Sequence, residues 1–236
     1  MTLTPESTVA EIAAGSPATI AVFQHHHIDF CCGGKIPLEQ ACRARSLDVD
    51  AVLADLRTAV APTAAEPDWN VAPLRDLIGH IQRRYHEPLR RELVRLAELL
   101  EKVVSRHGDH LPDRLQPLQQ TFERLKTELL AHMAKEDEVL FPVVVALENG
   151  APSPVPHVRE WIASPIAMME MEHGEAGAAL ASIRELTDGF APPAWACPTF
   201  RGLYYGLAQL ETDMHVHVHL ENNILFPRAI QLARRR

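Results

Sequence analysis

Basic residues are outnumbered in this chain, 23 Lys and Arg against 31 Asp and Glu, for a net charge of −8 at pH 7. That balance excludes the positive footprint a phosphate backbone requires, the terminal Arg234-Arg235-Arg236 notwithstanding, so nucleic acid is not an expected partner. No apolar stretch approaches the length that spans a bilayer, and Met1-Thr2-Leu3-Thr4-Pro5-Glu6 lacks the basic start and apolar run of a secretion signal. A cytoplasmic protein with no membrane partner is the expectation. Cysteine is scarce as well: four in 236 residues do not make a disulfide scaffold, and Cys31-Cys32 are adjacent, where bridging each other would be strained. All four read as thiols. No segment reads convincingly as a strand.

What the chain has instead is helix and histidine. Apolar residues recur at three- and four-residue spacing over roughly 74–107, 114–147, 160–188 and 198–232, and the breaks between these stretches are short and contain Gly and Pro. Four long helices with short connections predict an all-α, antiparallel four-helix bundle. Ahead of it, Ser16-Pro17, Pro37 and Asp48 are start signals for short helices. Between those helices, His25-His26-His27-Ile28-Asp29-Phe30-Cys31-Cys32-Gly33-Gly34 reads as a turn presenting two thiols. The expected organisation is a small helical Cys-Cys-Gly-Gly domain over 1–61, a Pro- and Ala-rich flexible linker over 62–73, and the bundle over 74–232.

Thirteen histidines are many, but a single histidine on a helix is ordinarily a surface or hydrogen-bonded core residue, so spacing must carry any claim. One pattern occurs twice. Both His132-Met133-Ala134-Lys135-Glu136-Asp137-Glu138-Val139-Leu140-Phe141-Pro142 and His217-Val218-His219-Leu220-Glu221-Asn222-Asn223-Ile224-Leu225-Phe226-Pro227 read H-x-x-x-E-x-x-[V/I]-L-F-P. The interval puts His and Glu one turn apart on one helix face, with the Leu-Phe pair able to anchor the helix in the core. Surface His–Glu pairs are the bland alternative, yet each such pair stabilises a helix by only about 0.2–0.5 kcal/mol, a weak reason to repeat eleven positions. Facing inward, two carboxylates would be severely destabilising without positive charge among them, which a dinuclear metal centre supplies. Two glutamates able to bridge and several imidazoles suit a pair of iron ions, ahead of manganese or zinc. His173 on the third helix can complete the sphere; on the first helix, spacing leaves His80 and His86 both open.

These residues resemble the di-iron iron–sulfur cluster repair proteins, which join a short cysteine-bearing domain to a haemerythrin-like bundle. The likeness covers nearly the whole chain. It is carried by Ile28-Asp29-Phe30-Cys31-Cys32-Gly33-Gly34, Arg84-Tyr85-His86, His132-x-x-x-Glu136, Glu172-His173 and His217-x-x-x-Glu221-Asn222-Asn223. It implies His86, His132, His173 and His217 as terminal ligands, with Glu136 and Glu221 bridging an oxo- and carboxylate-bridged centre of two iron ions. It selects His86 over His80 and implies a part in transfer for the thiols of Cys31 and Cys32. The implied function is restoring iron–sulfur clusters damaged by nitric oxide or oxidants, through iron donation or nitric oxide handling, with damaged iron–sulfur proteins as clients. By the same resemblance, Glu128 and Glu172 stand near a route from the iron to the surface, against ordinary helix-surface charge as the alternative.

Other readings compete. A haemerythrin-like protein binding or sensing dioxygen or nitric oxide without repair activity is one, a metal store or zinc-stabilised interaction module another, and a nitric oxide-reducing di-iron oxidoreductase would be the enzyme among them. Haemerythrins resemble the bundle but place a second His four residues after the third-helix ligand, where this chain has Gly177, and Asp where it has Glu221. His107, His110, His157, His215 and His219 are expected non-ligands, His25 to His27 belong to a solvated turn, and Pro88 should distort the first helix just after His86.

Overall fold

The computed structural model describes residues 3–60, 67–152 and 155–235. Residues 62–66 of the expected linker lie outside them. The described residues are helical, with no strand among them; Thr8 and Pro37 form an isolated antiparallel bridge. The architecture is all-α, a four-helix bundle preceded by a small helical domain.

In the N-terminal region, α1 (Val9–Gly15) is followed by α2 (Ala18–His25), α3 (Leu38–Ala44) and α4 (Val49–Ala59), and the last three start directly after the signals at Ser16-Pro17, Pro37 and Asp48. Thr8 and Glu11 form a reciprocal capping box, and Asp48 accepts from the Asp50 N–H at 3.0 Å, so orphan donors at both helix starts are satisfied. Val9, Ile12, Phe23, Leu38, Leu53 and Leu56 are fully buried and supply the core.

The bundle helices are interrupted in a regular way. The first runs α5 (Leu74–Ile81), a π turn (Gln82–His86) and α6 (Glu87–His107); the second α7 (Pro112–Lys135), a π turn (Glu136–Leu140) and α8 (Phe141–Glu148). The third comprises a short α9 (Val158–Trp161) and α10 (Ala163–Leu186). The fourth runs α11 (Pro198–His219), a π turn (Leu220–Leu225) and α12 (Phe226–Arg234). Each π turn ends two residues before a proline: Pro88, Pro142 and Pro227. Proline offers no N–H to the carbonyl four residues back. The preceding residue donates five back instead, Glu87 to Gln82, Phe141 to Glu136 and Phe226 to Glu221. The distortion expected at Pro88 is therefore an ordered widening shared by three helices.

The contacts resolve two compact units. One comprises Met1–Ile78, Val144–Ala163 and His215–Arg236. Within it Arg228 donates to the carbonyls of Trp69 (2.5 Å) and Ala72 (2.7 Å), and the Asn70 amide donates to the Ala14 carbonyl (2.6 Å), so residues 69–72 are strapped down. The other comprises Gly79–Val143 and Ser164–Met214, with Leu93, Leu96, Phe122, Leu125, Ile183 and Leu207 at its core.

Candidate metal centre

The π turns fall at the candidate ligands: His86 ends the first, Glu136 opens the second, and Glu221 is the second residue of the third. All six sequence-predicted residues are buried, Glu136 and Glu221 completely. Their potential ligand atoms form two groups, His86–Glu136–His217–Glu221 and His132–Glu136–His173–Glu221, each with its atoms within 4.8 Å of one another. Both groups contain the same two glutamates with different histidine pairs. His80 is in neither; its ring lies edge-on to Tyr85.

The local distances are those of atoms aimed at a common ion. Neither oxygen of Glu136 has a hydrogen-bond partner, although the residue is sealed from solvent. Its nearest imidazole nitrogens are His132 Nε2 at 3.3 Å and His86 Nε2 at 3.5 Å. Two ligand atoms each about 2.1 Å from one ion lie roughly 3.0–3.4 Å apart, so this spacing fits shared coordination. His132 Nε2 and His173 Nε2 converge to 2.9 Å, and His217 Nε2 lies 3.0 Å from Glu221 Oε1. A carboxylate without hydrogen bonds in a dry interior is costly, and a cation among these donors removes the cost. The donor set of nitrogen and carboxylate oxygen fits iron.

Outer partners hold the rings. His86 Nδ1 lies 3.0 Å from Asp137 Oδ1, and Asp137 also accepts from Gln82 (2.9 Å) and Arg90 (2.6 Å). Burial pushes the Asp137 carboxyl up, but the hydrogen bonds from His86, Arg90 and Gln82 outweigh it and bring its pKa down to about 2. His132 Nδ1 lies 2.8 Å from Glu172 Oε2, and Lys135 donates to the same carboxylate. Glu172 thus orients a candidate ligand, whereas Glu128 is exposed. A carboxylate behind an imidazole fixes its tautomer and raises its basicity, at a typical cost of about 10–100-fold in metal affinity when removed. Asp137→Asn should weaken iron binding by roughly that factor with the fold intact, checked by iron competition with a chelator. Because the Asp137 pKa is depressed, its support is full above the ordinary carboxylate range and is lost only as pH falls through about 2.

Asp137 was not distinguished by the motif reading. The signal was available in the repeat: the residue after the glutamate is Asp137 in one copy and Asn222 in the other. Asp137 accepts from an imidazole; Asn222 donates its amide to the Cys31 carbonyl at 3.4 Å. Among the expected non-ligands, His219 proves buried, its pKa lowered to about 4 by burial, and its ring lies against Phe30.

At the cysteine turn, Asp29 accepts from the backbone N–H groups of Cys31 (3.0 Å), Cys32 (3.0 Å) and Gly33 (2.9 Å). A Cβ on Gly34 would meet the Phe30 backbone carbonyl at 2.7 Å, so the turn needs glycine there, whereas one on Gly33 would meet Asp29 Oδ2 at 2.8 Å and push that carboxylate off its N–H donors. The sulfurs lie 3.8 Å apart; Cys31 is buried and Cys32 half-buried. The hydrogen bond between the Cys31 and Cys32 sulfurs, then burial, raises the Cys31 thiol well above its ordinary range, keeping it protonated.

A helical bundle with paired, buried His–Glu motifs defines a cation-binding domain of the haemerythrin type, and residues 77–229 match the hemerythrin HHE cation binding domain model. Residues 5–60 match ScdA_N, a domain of unknown function. The iron-sulfur cluster repair protein YtfE of Musicola paradisiaca is 39% identical over 228 residues, covering 96% of this chain and 97% of the relative. The proteins of that name from Cronobacter sakazakii (39% over 225 residues, 95% and 96%) and Pectobacterium carotovorum (37% over 226, 96% and 97%) are similarly close. The chain belongs to this family of iron–sulfur cluster repair proteins. Among the described residues, no helix is long and apolar enough to cross a membrane.

Proposed function

We propose that this chain holds two iron ions and restores iron–sulfur clusters damaged by nitrosative or oxidative stress, by donating iron, by handling nitric oxide, or by both. The observation that carries this is the pair of four-residue groups sharing Glu136 and Glu221, the arrangement two bridging carboxylates require. In this reading His86, His132, His173 and His217 are terminal ligands, and the thiols of Cys31 and Cys32 take part in iron transfer to damaged iron–sulfur proteins. When bound, the iron supplies redox chemistry and affinity for small molecules such as nitric oxide; the chain's residues orient it and exclude water. We divide the chain at 1–61, 62–73 and 74–232. Metal analysis and the visible spectrum of anaerobically prepared protein test the reading: two irons per chain are expected, and zinc or no metal would overturn it.

A haemerythrin-like carrier of dioxygen or nitric oxide is the alternative reading, and Gly177 bears on it. This half-buried residue lies one turn beyond His173 on α10, on the same helix face, and has no side chain to coordinate a metal. The reading of a coordination position left open predicts that the reduced protein binds nitric oxide directly. Gly177→His should weaken that binding while Gly177→Ala leaves it largely intact, measured by nitric oxide titration of the ferrous spectrum. No difference between the two variants would remove the open position from the mechanism.

A further inference from the structure

The thiols of Cys31 and Cys32 are 190 residues or more from the end of the fourth helix in sequence, yet they share a compact unit with it. The contact is made by backbone. Asn223 Nδ2 donates to the Phe30 carbonyl at 3.0 Å and lies 2.9 Å from His219 Nδ1, and Asn222 Nδ2 donates to the Cys31 carbonyl at 3.4 Å. The Phe30 ring packs edge-on against His219 and His215, with ring centroids 5.6 and 6.1 Å apart. One amide group supplies two protons, so Asn223 can reach the Phe30 carbonyl and the His219 ring together.

The π turn makes this geometry possible. Its wider turn brings successive side chains closer in angle than an α-helix does, so Asn222 and Asn223 both face the cysteine turn directly after Glu221. The turn is meanwhile prefolded on Asp29, so holding two adjacent carbonyls places the sulfurs as a rigid piece. In this position Cys31 is 6% exposed and protonated, the opposite of a thiol ready to bind metal or attack.

We propose that Asn222 and Asn223 are positioning residues that clamp the Cys31-Cys32 turn with Cys31 shielded, so that release of the clamp is what makes the Cys31 thiol available. The functional meaning of the clamp rests on the repair reading above; its existence does not. An iron acceptor or damaged client would gain the Cys31 thiol by displacing two hydrogen bonds, leaving the domain folded.

The test is thiol alkylation of the full chain with iodoacetamide, resolved residue by residue by peptide mass mapping, with iron content measured on the same samples. Asn223→Asp keeps the size and removes the donors, placing a carboxylate against the Phe30 carbonyl. Losing the donated bonds should speed Cys31 alkylation about tenfold or more. Cys42, buried in the same domain and 1% exposed, should stay unreactive. Asn223→Gln, which retains the amide, should fall between wild type and Asp. If Cys31 in the Asp variant stays as protected as in wild type, or Cys42 opens in parallel, the clamp is refuted. Iron content reads the metal assignment separately: a chain with no iron but with this labelling contrast would retain the clamp and lose the proposed function.

Discussion

Replacing Glu136 or Glu221 with alanine should remove most of the iron from the purified protein, a larger loss than any single histidine substitution should cause. Each glutamate belongs to both four-residue groups, so deleting one takes a ligand from both ions at once, whereas each histidine serves a single group. The remaining carboxylate cannot compensate, since both are already buried and committed. Stability of the metal-free chain should move the other way. Without iron, the two buried carboxylates have only the neighbouring imidazoles to offset their charge, and removing either relieves part of that cost. The apo Ala variants should therefore melt higher than apo wild type. Iron per chain by elemental analysis, with thermal melts with and without chelator, reads both effects. Full metal content in both variants would dismiss the bridging assignment.

The double substitution Cys31→Ser, Cys32→Ser should abolish restoration of damaged clusters and leave iron loading unchanged. Neither sulfur is in the groups that gather the histidines and glutamates. Serine preserves the turn: Asp29 holds it through backbone N–H groups, and Asn222 and Asn223 hold it through backbone carbonyls. What is lost is sulfur chemistry alone. Recovery of an inactivated iron–sulfur enzyme, with iron content measured in parallel, gives the result. Loss of bundle iron would make the cysteines ligands or structural; undiminished repair would make them bystanders.

Most of the bundle was legible because its signal is local. Apolar spacing gives four helices, and His132/Glu136 and His217/Glu221 fall on one face each because four residues make about one turn. What stayed hidden depends on partners remote in sequence. Spacing could not separate His80 from His86, since both suit a helix face and only Glu136 and Asp137, some fifty residues on, distinguish them. The Leu-Phe-Pro triplets read as packing anchors, and the Leu and Phe are buried, but Pro142 and Pro227 also set the π turns. Asn222 and Asn223 carried no chemistry as letters, because an amide's role is set by what faces it. The stretch read as a flexible spacer is Pro- and Ala-rich as such spacers are, yet its described end is held by Arg228.

That arginine limits how the chain can be shortened. Arg228 is half-buried, and its guanidinium is directed at the carbonyls of Trp69 and Ala72. A truncated chain beginning at Leu74 would keep every metal-directed side chain but strip the last helix of both acceptors, leaving a partly desolvated cation to find water. One beginning at Pro67 retains them. A truncation that keeps the last helix's partners therefore has to start upstream of Leu74, because Arg228 is held by the carbonyls of Trp69 and Ala72.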